Sequence, residues 1–246
     1  MLTKREQTTL ASPRRGPVPP PDRPLRSAAM REVYWVRHAQ STANAGGRTD
    51  ANKAVTLSPL GVEQAAAFAQ AWSIRPGMIV VSPYVRTHQT AMPLRRKFEA
   101  VPVEEWPIHE FTFLSRGLGD GTTAAERLEL AKPYWQRMDP FEDLGEGSES
   151  YASFHTRVAS CLSRAASFRG TGPLMVFTHN RVLCQLMTMV VSPPRDVHEG
   201  MRRIHGLCTV GRFEVPNCGV LRMTVADGGA VSLGRFDPAA SPVPAT

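Results

Sequence analysis

The 246-residue chain is 42% hydrophobic with a formal net charge of +7, enough for one large domain or two small ones around a sizeable core. Its longest apolar run, residues 182–191, falls far short of the roughly 20 residues that cross a membrane. Lys4, Arg5, Arg14, Arg15, Arg23 and Arg26 against Glu6 and Asp22 give residues 1–29 a net +4, leaving +3 for the remainder; that modest excess, without an aromatic and basic stacking platform, disfavours nucleic acid and fits a small anion.

The first 29 residues are rich in Pro, Arg, Ser and Thr and poor in large apolar side chains. Too little burial is on offer to offset the entropy of ordering, so a disordered tail is expected. It has no apolar stretch of a secretory signal. Met30 stands directly before the first strand, so an upstream-shifted start is an alternative reading.

From residue 30 to about 240 the pattern is that of one domain. "REVYWVR" is β-branched and aromatic and reads as a strand. After a polar loop, "LSPLGVEQAAAFAQAW" reads as a helix, with Ser58 as N-cap, Pro59 in the first turn, and Val62, Ala65, Ala66, Ala69 and Trp72 at helical spacing. "GMIVVS" is a short buried strand running into a helix with Ser82 and Pro83 at its start, and "VPVEEW" a third strand. Residues 108–172 break the rhythm. They hold a polar loop, a helical stretch over 124–138 interrupted by Pro133, and a helix over about 149–168, and they read as an insertion that shapes substrate access. "GPLMVFTHN" carries a fourth strand, followed by the helix "RVLCQLMTMVV"; the end of the chain reads as two or three antiparallel strands with a turn at Asp227. This alternation predicts a three-layer α/β/α fold. Its central sheet is mostly parallel, with an antiparallel edge strand and a helical insertion.

Cys161, Cys184, Cys208 and Cys218 form no CxxC pair. They are expected to be reduced, buried thiols of a cytoplasmic protein. The histidines show no HxH or HxxxH spacing, so no metal is expected.

Ligands of open α/β sheets bind where strands end and helices begin. Three such places carry chemistry: Arg37-His38, Ser82 with Arg86 four residues on, and Thr178-His179-Asn180. A parallel sheet would gather two arginines and two histidines at one end. Guanidinium forks match phosphate oxygens, helix N-termini add N–H donors, and a neutral imidazole is a nucleophile able to carry a phosphoryl group.

"VRHAQSTAN", "LSPLGVEQA", "VSPYVRTHQTA" and "VFTHN", in that order, resemble the histidine phosphatase, or phosphoglycerate-mutase-like, superfamily over residues 33 to about 191. The resemblance implies that His38 is the nucleophile, that Arg37, Arg86 and Asn44 bind the phosphoryl oxygens, and that His179 binds the same group and stabilises developing charge. It implies a carboxylate proton donor after the third strand. Glu110 in "PIHEFTFL" is the candidate, with Glu104, Glu105 and Asp120 as alternatives. The implied activity is a cofactor-free, metal-independent phosphomonoester hydrolase acting on a small phosphate ester. Alternatives are a phosphoryl-transferring mutase, against which the absence of "ERHYG" counts, and a non-catalytic phospho-ligand binding module. Two departures stand out: Ala39 replaces the usual Gly after the first histidine, and Asn180 the usual Gly after the second, with a left-handed turn expected at Asn180.

Overall fold

The computed structural model describes residues 30–234 except 51, 212 and 228; the tail call on residues 1–29 lies outside them. Six strands form one sheet in the order β3-β2-β4-β1-β5-β6. They are β1 (Arg31–Arg37), β2 (Met78–Val81), β3 (Val103–Glu105), β4 (Leu174–Thr178), β5 (Val220–Val225) and β6 (Val231–Leu233). β1, β2, β3 and β4 are parallel, whereas β5 runs antiparallel to β1 and β6 to β5. The sheet is thus mostly parallel with an antiparallel edge, as expected.

Alternation along β1 explains the layers. Val33 and Trp35 enter one core cluster, Tyr34 and Val36 the other, because successive strand side chains point to opposite faces. The second face is covered by α1 (Pro59–Ala71) and α2 (Val85–Lys97), which contribute Ala65, Phe68, Ala91 and Leu94. The first is covered by α6 (Tyr151–Ser167), α7 (Asn180–Val191) and α8 (Val197–Ile204). Between β3 and β4, the chain also forms α3 (Arg116–Gly119), α4 (Ala124–Leu130) and α5 (Lys132–Arg137). Pro133 lies in the first turn of α5, where its missing N–H costs nothing. This block is anchored by its aromatic side chains: Phe111 stacks on Phe154 of α6, Phe113 stacks on Tyr134, and Trp135 packs against both Phe113 and Tyr134.

Several local expectations change. Ser58 caps α1 by accepting from Gly61 N, and Pro59 opens it; Ala65, Ala69 and Trp72 are buried as expected, but Val62 and Ala66 face solvent and Gly61, Gln64 and Phe68 complete the buried side. Gln64 lies inward because its amide oxygen accepts from Gln40 N at 2.8 Å. α2 begins at Val85 rather than at Ser82, whose hydroxyl turns to His179. α8, followed by a π-helical segment over His205–Val210, has no counterpart in the sequence reading. Cys184 of α7 is disulfide-bonded to Cys208 of that segment, against the expectation of reduced thiols, while Cys161 and Cys218 are free and buried. The 24-residue separation of Cys184 and Cys208 gave no spacing signal. No helix among the described residues is long and apolar enough to cross a membrane.

Candidate active site

Strand register assembles the site. Arg37 at the end of β1 pairs with Thr178 at the end of β4, and His38 N donates to Thr178 O at 2.9 Å. The residue after each strand is a histidine, so the His38 and His179 rings come within 5.1 Å, centroid to centroid. β2 lies on the other side of β4; its continuation places Ser82 Oγ 2.8 Å from His179 Nε2. The first turn of α2 then delivers Arg86, whose Nε donates to His38 Nε2 at 3.2 Å. Arg37, His38, Arg86 and His179 are all buried, none more than 5% exposed.

Burial, reinforced by two neighbouring guanidiniums, shifts the imidazoles. His38 is held well below its ordinary value of 6.5, first by burial and then by the Arg86 and Arg37 charges. His179 is lowered in the same way, by burial and then by Arg86. His38 Nδ1 lies 2.7 Å from Ala39 O. A carbonyl only accepts, so Nδ1 carries the proton and Nε2 keeps its lone pair. Burial draws Arg86 down to about 10, partly offset by the Glu110 charge, and it stays cationic at neutral pH. Two nitrogens, Arg37 Nε and His179 Nδ1, are buried without a hydrogen-bond partner. Buried polar groups are seldom left so, and an oxygen-rich anion is a partner for an N–H donor.

Glu110 is half-buried beside the N-terminus of α7, where Oε1 accepts from Phe111 N at 3.0 Å and Arg181 N at 3.2 Å. Thr178 Oγ1, donating to Ile108 O at 2.7 Å, ties this segment to the end of β4. The alternative carboxylates are used elsewhere: Glu104 accepts from Trp106 and Arg164, and Glu105 lies 3.3 Å from His88. Asp120 follows α3 in the block between β3 and β4. Asn44 is exposed and engaged in its own loop, its Oδ1 accepting from Ser41 N at 3.1 Å and Ser41 Oγ at 2.9 Å.

Both departures from the family pattern fit. Ala39 is fully buried, with its side chain in the core under α1 and α2 and its N–H donating to Thr90 Oγ1 at 3.0 Å. Asn180 is not left-handed, correcting the expectation; it is the first helical residue of α7, with His179 as N-cap.

Sequence reasoning missed one wall of the site, the segment Phe213 to Asn217. Asn217 Nδ2 donates to His38 O at 2.9 Å, Val215 O accepts from Arg37 Nη1 at 2.5 Å, and Glu214 forms an ion pair with Arg37. It belongs to no helix or strand and lies beyond every motif, so no local pattern in the sequence marks it. Tyr84, stacked edge-on against His179 at 5.2 Å with Arg86 over its ring, was also missed.

A sequence profile of the Histidine phosphatase superfamily (branch 1) matches residues 33–235. Among solved structures, the fold resembles the alpha-ribazole phosphatase of Shigella flexneri (17% identity, TM-score 0.64, covering 83% of this chain and 95% of that one). It also resembles a mycobacterial glucosyl-3-phosphoglycerate phosphatase in complex with VO3 (21%, 0.62, 84% and 98%). A third is the phosphoserine phosphatase of Entamoeba histolytica in complex with 3-phosphoglyceric acid (18%, 0.59, 84% and 96%). No curated protein gives a significant sequence match. With the profile spanning most of the chain and the same fold in these structures, the protein belongs to the histidine phosphatase superfamily.

Proposed function

We propose that this chain is a metal-independent phosphomonoester hydrolase working through a phosphohistidine at His38. The observation that carries the reading is the state of His38: a buried, neutral imidazole with Nδ1–H fixed on Ala39 O and its Nε2 lone pair turned to Arg86, one ring away from His179.

Chemistry follows from that arrangement. Arg37 and Arg86 bind the phosphoryl oxygens, and His179 Nδ1 and the Asn44 amide add donors to the same anion. His38 Nε2 attacks phosphorus, forming the P–N bond as the ester P–O bond breaks. Glu110 gives its proton to the departing oxygen. Water then attacks the phosphohistidine, returning its proton to Glu110. The P–N electron pair goes back to Nε2, and inorganic phosphate leaves. The structural neighbours whose names specify phosphorylated small molecules support a small phosphate ester as substrate. We assign substrate access to the insertion between β3 and β4.

The test is hydrolysis of 4-nitrophenyl phosphate. Activity is expected to survive EDTA, to be blocked by vanadate, and to fall by at least about a thousandfold in His38→Ala, because the nucleophile is gone. Full activity in that variant would remove the phosphohistidine. Interconversion of 3- and 2-phosphoglycerate faster than hydrolysis would replace the hydrolase by a mutase.

A further inference from the structure

Arg37 is held from outside the motifs. It is 4% exposed, and both terminal nitrogens are taken: Nη1 donates to Val215 O at 2.5 Å and Nη2 to the Glu214 carboxylate. Only Nε, buried, lacks a protein acceptor. The segment that supplies both acceptors has no strand or helix of its own, and it is fastened from α7. Asn180 Oδ1 accepts from Val215 N at 2.9 Å, and Asn180 Nδ2 donates to Phe213 O at 3.3 Å. Asn180 directly follows His179, so one helix start carries both an imidazole of the site and the anchor for an arginine of the site. A glycine there could make neither bond.

We propose that Asn180 and Glu214 are positioning residues for Arg37. Asn180 fixes the Phe213–Val215 segment; Glu214 and Val215 O then grip two nitrogens of the guanidinium and leave its Nε for the phosphoryl oxygen. The inference rests on the phosphatase reading above. The Glu214 side chain is 59% exposed, and an ion pair with one partner so wet contributes little stability by itself. Its contribution is orientation. A guanidinium already fixed at two nitrogens gives up little freedom when the third meets its anion, and a small misplacement of such a group is costly to the reaction. The side-chain chemistry that the usual glycine would lack thereby acquires a use.

The experiment measures kcat/KM for 4-nitrophenyl phosphate and the inhibition constant of inorganic phosphate in the wild type, Asn180→Gly, Glu214→Ala and Glu214→Gln. Each variant is repeated in an Arg37→Lys background, and melting curves are recorded for all. Asn180→Gly and Glu214→Ala are each expected to lower kcat/KM and weaken phosphate on the order of tenfold. Glu214→Gln, which keeps an acceptor oxygen, recovers most of the loss. In the Arg37→Lys background the same substitutions change either quantity less than about twofold, because a lysine has no fork to orient. Effects that persist undiminished there, tighter phosphate binding in Glu214→Ala, or no change at all would each overturn the proposal while the phosphatase stands. A wild type that neither hydrolyses the ester nor binds phosphate would overturn the phosphatase reading and this inference with it.

Discussion

His38 and His179 lie where desolvation and two guanidiniums act in the same direction, against the imidazolium. Neutral nitrogen is the form that the proposed attack on phosphorus requires, and depressed values keep it available over the neutral range. An ordinary imidazole would be half protonated at its usual 6.5. Titration of histidine ring signals by NMR is therefore expected to leave the imidazoles of His38, His179 and His109 unmoved between pH 8 and 6.5, with the first two identified by their absence in His38→Gln and His179→Asn. Midpoints near 6.5 for both would take away the electrostatic basis of the nucleophile. The convergence of Arg37, His38, Arg86 and His179 was legible in the sequence, because each sits at a strand end or in the segment after one, and strand ends are local signals. Glu214 and Asn217 were not: their place in the site depends on a turn before β5 whose path is set by Asn180 and the backbone at His38. Asn44 shows the opposite case, a motif residue whose side-chain oxygen closes its own loop on Ser41.

At the level of elements, α1 positions the loop that follows His38. Its first turn lies directly on Gln40: Ser58 N donates to Gln40 O at 3.0 Å, Ser58 Oγ to Gln40 Oε1 at 2.7 Å, and Gln64 receives Gln40 N. Gly61 permits this approach, since a Cβ there would overlap the Gln40 carbonyl oxygen and lie 2.9 Å from its carbon. Helix propensity alone predicts that Gly61→Ala stabilises α1 by about 1 kcal/mol. The clash is with backbone, which cannot swing aside, and overpacking of that kind costs about 1–3 kcal/mol. The net expectation is a lower denaturation midpoint, with kcat/KM reduced because the displaced residue is two positions from His38. A midpoint raised above the wild type would show that the helix term wins and that α1 is not pressed on Gln40. The sequence signalled this helix through its cap and proline, and Ala65, Ala69 and Trp72 of the expected stripe are buried, but Val62 and Ala66 are not. A glycine and a glutamine occupy the buried positions for steric and hydrogen-bonding reasons that an apolar period does not register. α8 escaped for a related reason, its eight residues holding three basic or imidazole side chains among few buried ones.

For the whole molecule, the parallel sheet that assembles the site also sets a pH limit on the fold. Gathering strand ends at one edge buries His38 and His179 as neutral groups, and His109, brought against Tyr84 at 5.4 Å, is pushed down to about 4 by burial and the Arg157 charge. Once the chain unfolds, these imidazoles return to water and to values near 6.5. Their folded values are depressed, so the unfolded state binds more protons below 6.5. Stability is complete above that pH and is lost as pH falls toward the folded values. For the two most buried imidazoles the slope approaches about 3 kcal/mol per pH unit once the unfolded state is fully protonated. Against a total of about 5–15 kcal/mol for an ordinary domain, that loss decides survival within a few units. Urea midpoints measured from pH 8 to 4.5 are expected to stay level down to about 7 and to fall steadily below 6.5. His179→Asn, which cannot gain a proton, is expected to flatten that fall even where it lowers the midpoint at pH 8. A midpoint unchanged to pH 4.5, or a fall equally steep in His179→Asn, would mean that the imidazoles at the strand ends are hydrated or already charged in the folded protein, and the site drawn here would lose its neutral nucleophile.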